Sequence, residues 1–284
     1  MGHTHHRARV VAIVLATALA ALNVRTAHAE IRWETKLDRA SARALETNQP
    51  MLLEFWATWC AACAGMDRDV YADARVASAM TKVLPVRVDI DREPGLARKY
   101  GISATPTLLL TDSFGNELFR FVGSLPLDRM VQLLRELPAD VTRINRLSAT
   151  LARNGQDFAA LDGLARELRA GGFFRASNQY YGRALRTRDG RRPTDARGDI
   201  LVAMGQNALE LKSFPDAARL LDQALREFPG RPSEPDVMLG LGRALLAQQK
   251  AADARQVLRA LVARHTDAPA TAEAVRLLAG LPPK

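Results

Sequence analysis

The sequence predicts an α/β domain followed by an all-α helical repeat domain. Three observations carry this. Strand and helix patterns alternate from Ile31 to Pro138 and then strand signals stop. Apolar and small residues after that point recur at fixed offsets, the mark of stacked helical units. The length of 284 residues suits two domains better than one.

The elements follow in chain order. Residues 1–29 read as a secretory signal peptide. His3 to Arg9 are polar and basic, Val10 to Val24 are apolar apart from Thr17 and Asn23, and Ala27-His28-Ala29 places small residues before a cleavage point. A retained membrane anchor is the alternative, but a span needs roughly 20 apolar residues and this run is shorter. No cysteine follows the run, so a lipid anchor has no attachment site. Cleavage after Ala29 leaves a chain with no stable membrane insertion, expected in the bacterial periplasm.

Residues 30–138 form the expected α/β domain. Leu37 to Glu46 has helical spacing, and Met51 to Trp56 reads as a buried strand. Cys60 to about Val70 reads as a helix, Val83 to Ile90 as an alternating strand and Pro94 to Tyr100 as a short helix. Thr107 to Thr111 and Glu117 to Val122, joined by Asp112-Ser113-Phe114-Gly115-Asn116, read as a hairpin. Pro126 to Leu137 closes the domain as a helix with proline in its first turn.

Residues 139–157 are expected to be a linker helix and 158–284 a repeat region. Leu201, Met204, Gly205, Ala208, Ala217, Leu221, Ala224 and Pro229 define one set of offsets. The same offsets select Met238, Leu241, Gly242, Leu245, Ala254, Leu258 and Leu261, and also Leu161, Leu164, Ala165, Leu168, Ser177, Tyr181 and Ala184. Units therefore begin near Phe158, Gly198 and Pro235, with insertions at about Arg192–Arg197 and Arg231–Glu234. Gly205 with Ala217, and Gly242 with Ala254, are small enough to let paired helices approach closely. An ordinary helical bundle is the competing reading; three matches to one template favour tandem helical hairpins.

Charge divides along the same line. The whole chain carries +9, but residues 30–138 are close to neutral and residues 139–284 hold most of the excess. The Arg183, Arg186, Arg188, Arg191, Arg192 and Arg197 cluster could dock an acidic protein, although a solvated surface is the commoner use of such a run. No nucleic-acid motif is present.

The chain has two cysteines, Cys60 and Cys63. A structural disulfide stabilises by closing a long loop, and this ring is too small to gain much that way. In an exported protein, so tight a pair points to redox chemistry. The strand-to-helix junction puts Cys60 at a helix N-terminus, where free N–H groups and the helix dipole favour a thiolate. Cys63 lies one turn on. Zinc would need two more ligands, and after cleavage the only histidine is His265 in the repeats, so metal is a poor reading and no cofactor is expected.

Several runs resemble the thioredoxin family across a whole domain. They are Leu53 to Cys60, Val88-Asp89-Ile90-Asp91, Pro94 to Ile102 and Thr105-Pro106-Thr107-Leu108-Leu109-Leu110. The stretch Cys60-Ala61-Ala62-Cys63-Ala64-Gly65-Met66-Asp67 lacks the Gly-Pro and the later proline of thioredoxin itself. There it is more similar to the C-terminal periplasmic domain of DsbD reductases. The repeat offsets resemble tetratricopeptide arrays. The resemblance implies an α/β thioredoxin fold with Cys60 attacking and Cys63 resolving. It matches Glu54 to the buried acid behind the resolving cysteine, with Glu in place of Asp. It matches Arg87 to a lysine paired with that acid, and Pro106 to a cis-proline that frees the Thr105 backbone for a substrate strand. Trp59 would shield the pair and face substrate, whereas Trp56 fits core packing. On the residues alone, Glu54 could instead be an edge-strand charge facing water, and Arg87 an exposed arginine.

The expected activity is dithiol–disulfide exchange with protein substrates, reducing or isomerising, fed by a membrane electron donor of DsbD type, with the repeats recruiting partners. A dedicated role in cytochrome c maturation uses the same chemistry. The rival of another class is a non-catalytic adaptor or holdase with an inert disulfide.

Overall fold

The computed structural model describes residues 30–282; the signal-peptide reading of residues 1–29 lies outside the described residues. Helix α1 (Leu37–Thr47) buries Ala40 and Ala44 and ends at Asn48, whose φ of 53° is left-handed and tolerated by asparagine. Strand β1 (Met51–Trp56) follows. Helix α2 (Ala61–Met66) continues into a π-helical turn, Asp67–Tyr71. The helix expected from Cys60 to Val70 is thus regular only as far as Met66.

Helix α3 (Ala74–Ala79) and a 3-10 turn at Met80–Lys82 were not expected from the sequence. They are too short to display a period; the usable signal is Asp73, whose carboxylate accepts from the Arg75 backbone N–H at 2.8 Å and caps the helix. Strand β2 (Leu84–Asp89), helix α4 (Pro94–Lys99), strand β3 (Thr107–Thr111), strand β4 (Glu117–Val122) and helix α5 (Leu127–Glu136) match the expected elements to within a residue or two. Pro126 caps α5 from outside rather than entering its first turn.

The sheet order is β2-β1-β3-β4. Strand β1 pairs parallel with β2 and antiparallel with β3, and β3 pairs antiparallel with β4 through a register shift at Leu110/Thr111. The end of β1, the end of β2 and the start of β3 therefore meet at one edge of the sheet. Met51, Leu53 and Phe55 pack with α1 on one face, while Leu52, Leu108 and Leu110 pack with Met66, Val70 and α5 on the other.

Beyond α5 all described elements are helices: α6 (Thr142–Arg153), α7 (Phe158–Ala170), α8 (Phe174–Arg186), α9 (Asp195–Glu210), α10 (Phe214–Glu227), α11 (Glu234–Ala247), α12 (Ala251–Arg264) and α13 (Pro269–Ala279). Helices α7/α8, α9/α10 and α11/α12 are the three expected hairpins. A β-carbon on Gly205 would meet the Leu221 side chain at 2.6 Å, and one on Gly242 would meet that of Leu258 at 2.5 Å. Both glycines are therefore what lets each hairpin close.

Helix α6 is more than a spacer. Val141 and Ile144 are buried in the core that holds Leu118, Leu134, Leu161 and Leu164, so apolar packing is continuous from the sheet into the first hairpin. A buried polar network accompanies it. Ser148 donates to Asp112 at 2.7 Å, the Ser113 N–H donates to Asn145 Oδ1 at 3.2 Å, and the Val141 N–H donates to the Asn48 carbonyl at 2.9 Å. Among the described residues no helix is long and apolar enough to cross a membrane.

Candidate active site

Cys60 is the N-cap of α2, and Cys60 and Cys63 are joined by a disulfide with a Cα–Cα distance of 5.3 Å. The Cys63 backbone N–H points at Cys60 Sγ, 3.1 Å away. An N-terminal N–H aimed at this sulfur is the arrangement that stabilises a thiolate there. Cys60 is 6% exposed and Cys63 1%, so only the first has any access to a partner. Ala57, Trp56 and Ile90 pack around the pair.

The other predicted residues gather at the same edge of the sheet. The Thr105–Pro106 peptide is cis, as the resemblance implies. Pro106 is buried, Thr105 is half-buried, and the Pro106 carbonyl accepts from the Gly123 N–H at 2.8 Å. Trp59 is 65% exposed, and its indole N–H donates to Asp91 at 2.9 Å. Trp56, expected in the core, is half-buried and forms one wall around Arg87.

Glu54 does not face water. Strand β1 has neighbours on both sides, so the edge-strand alternative fails, and Glu54 is fully buried. It sits on the sheet face that carries α2, two residues before Trp56. The parallel register sets Arg87 opposite Glu54, and Arg87 Nε donates to Glu54 Oε2 at 2.8 Å. Arg87 Nη2 forms an ion pair with Asp67 at 2.8 Å, so the exposed-arginine alternative fails too. Among the described residues Glu54 Oε1 has no hydrogen-bond partner. Burial pushes the Glu54 carboxyl up to about 7, against the opposing pull of Arg87, with the Asp67 charge adding to the rise.

The linkage follows from the sign of that shift. Between pH 4.5 and about 7 the unfolded chain has lost this proton while the folded chain keeps it, so stability falls as pH rises across that window. Glu54→Gln keeps an acceptor for Arg87 and removes the titration. Urea melts should show the variant about 3 kcal/mol more stable than the parent at pH 8 and nearly equal at pH 4.5. Equal stabilities at both values would contradict the buried, proton-holding carboxyl.

Half of the arginine cluster has partners within the chain, while Arg186, Arg188 and Arg191 are exposed. Arg183 donates to the Gly155 carbonyl and lies over Tyr180, Arg192 pairs with Asp189, and Arg197 pairs with Glu227. Sequence reasoning missed Trp33, Asp67, Tyr71 and Asp91. All four reach the site through tertiary contacts that no local pattern announces.

A family model described as a thioredoxin-like domain matches residues 37–138, and a tetratricopeptide repeat model matches residues 202–280. The chain is 30% identical over 90 residues to a thioredoxin of Mycoplasma pneumoniae, covering 32% of this chain and 84% of that protein. It is 30% identical over 94 residues to the thiol:disulfide interchange protein DsbD of Ralstonia nicotianae, covering 31% of this chain and only 16% of that longer protein. Among solved structures, the oxidised C-terminal domain of DsbD from Neisseria meningitidis aligns with a TM-score of 0.33 at 20% identity, covering 37% of this chain and 98% of that one.

Proposed function

The chain belongs to the thioredoxin family through residues 37–138, and from that premise we propose that it is a periplasmic thiol–disulfide oxidoreductase that reduces or isomerises protein disulfides, with its repeats recruiting the partners. The observation that carries the chemistry is the Cys60–Cys63 pair, with Cys60 the N-cap of α2 and a cis Thr105–Pro106 peptide leading into β3, the neighbour of β1. The export reading rests on the pattern of residues 1–29.

In the reducing direction the Cys60 thiolate attacks a substrate disulfide. One substrate sulfur leaves as thiolate and takes a proton, and the other is held in a mixed disulfide. Glu54, whose carboxyl titrates near the working pH, takes the Cys63 proton. Cys63 then attacks Cys60 Sγ, the second substrate thiolate leaves, and the intramolecular disulfide forms. Two electrons and two protons must return from a dithiol donor, for which a membrane protein of DsbD type is the proposed source. Trp59 and the backbone of Thr105 are assigned to substrate contact, the first by its exposure and the second by the cis peptide that follows it.

The test is reduction of insulin disulfides by dithiothreitol, followed by turbidity, with and without the full chain. Earlier onset with catalytic amounts of the chain supports the reading. Onset no earlier than in buffer leaves the adaptor reading in its place. The reduction potential of the pair then separates a reducing from an oxidising role.

A further inference from the structure

Trp33 lies outside the matched segment, in the stretch that precedes α1. That stretch runs beside β2. Glu34 bridges Val86 in parallel, the Glu34 N–H donates to the Pro85 carbonyl at 2.9 Å, and the Arg87 N–H donates to the Glu34 carbonyl at 2.8 Å. This pairing fixes the backbone from which the Trp33 side chain emerges. The guanidinium carbon of Arg87 sits 5.1 Å from the centroid of the Trp33 ring, 4.7 Å from that of Trp56 and 6.0 Å from that of Tyr71. Trp33 and Tyr71 meet edge to face at 5.1 Å. Three aromatic rings and the carboxylates of Glu54 and Asp67 thus surround one cation, whose side chain is 17% exposed.

We propose that Trp33 is a positioning residue for the redox site: it clamps the Arg87 guanidinium against Glu54. Its value to the reaction rests on the reading above, in which Glu54 handles the Cys63 proton. The physical case is a competition. A long arginine side chain gains freedom and hydration by swinging into water, and leaves Glu54 when it does. The Trp33 ring offers its negative face to the cation and, being only half-buried itself, forms an outer wall of the cage. Glu54 stays buried in an interior strand either way, so loss of the clamp removes what favours the carboxylate and leaves its desolvation intact.

The groups facing Glu54 are Arg87, Asp67 and Tyr71, and none of them is altered in the test. The full chain, oxidised and carrying carbon-13 glutamate, is titrated by NMR, with the Glu54 resonance assigned by its loss in Glu54→Gln. Trp33→Leu retains apolar cover without an aromatic face. It is expected to move the Glu54 titration upward by about one unit, the effect of losing an ordinary cation–π contact. Trp33→Phe keeps a ring and most of the volume, and is expected to move it upward by less than half as much. The pH profile for resolution of a mixed disulfide should shift in the alkaline direction with it. A Glu54 titration that stays in place or moves down in folded Trp33→Leu overturns the proposal. If that variant does not fold, an unmoved titration in Trp33→Phe overturns it instead. The titration needs no turnover, so a chain inactive on insulin would defeat the oxidoreductase reading while the clamp is still measured.

Discussion

Cys60→Ser should abolish the catalysed part of insulin reduction and leave the rate of dithiothreitol alone, because the remaining thiol, Cys63, is sealed from solvent. Cys60 and Cys63 are the two cysteines of the chain, and they are joined to each other. The two positions should also differ in the reduced parent. Cys60 caps α2 and receives the helix N–H groups, so it should alkylate with iodoacetamide faster than Cys63 from pH 6 to 7. Cys63→Ser leaves the attacking sulfur in place and removes the step that releases substrate, so it should accumulate mixed disulfides visible on non-reducing gels. Equal alkylation of both cysteines, or no adducts in Cys63→Ser, would mean that the pair is a closed structural ring.

The sequence displayed most of the fold for physical reasons that differ by element. The strands were legible because β1 and β3 are interior and read as continuous apolar runs, while β2 alternates between buried and half-buried positions. The hairpins were legible because Gly205 and Gly242 recur where each faces a leucine of the partner helix. Helix α3 was invisible because six residues cannot show a helical period. The site divided similarly. Cys60, Cys63 and Pro106 sit in contiguous motifs, and Glu54 stands out as a lone charge in an apolar strand. What surrounds Glu54 could not be read locally, since Arg87 comes from β2, Asp67 from the π-helical turn and Trp33 from the stretch before α1. The parallel register that sets Arg87 opposite Glu54 exists only once the sheet is formed.

The cage around Arg87 also explains why an arginine, where the resemblance points to lysine, suits this site. Its planar head can donate to Glu54 through Nε, reach Asp67 through Nη2 and lie against aromatic faces at the same time. A lysine ammonium offers a single point of charge on a flexible stem, and could serve one of those carboxylates well but not hold both in a fixed fork.

Where the chain is cut should decide what is learned about the repeats. Removing everything after Asp140 takes away the buried side chains of Val141 and Ile144, and strips Ser148 from the buried carboxylate of Asp112 and Asn145 from Ser113. Two buried aliphatic side chains and a hydrogen bond to a charged group are together worth on the order of 5 kcal/mol, comparable to the whole stability of a small domain. That fragment should melt far below the parent or fail to fold. A cut after Asn154 keeps α6 and its network, and exposes the side that met α7 and the part of β4 that met α8. This second fragment should reduce a small disulfide such as dithionitrobenzoate within about twofold of the full chain, because the bond chemistry at Cys60 is unaltered. Introduced into Cys63→Ser, the same cut should shrink or change the set of proteins trapped in mixed disulfides, since a second binding surface raises the effective concentration of chosen partners near Cys60. Mass spectrometry of the trapped proteins from both chains makes the comparison. Identical sets at equal abundance would assign the repeats to spacing or assembly and remove partner recruitment from the reading, while a stable, fully active fragment ending at Asp140 would show that α6 belongs with the repeats after all.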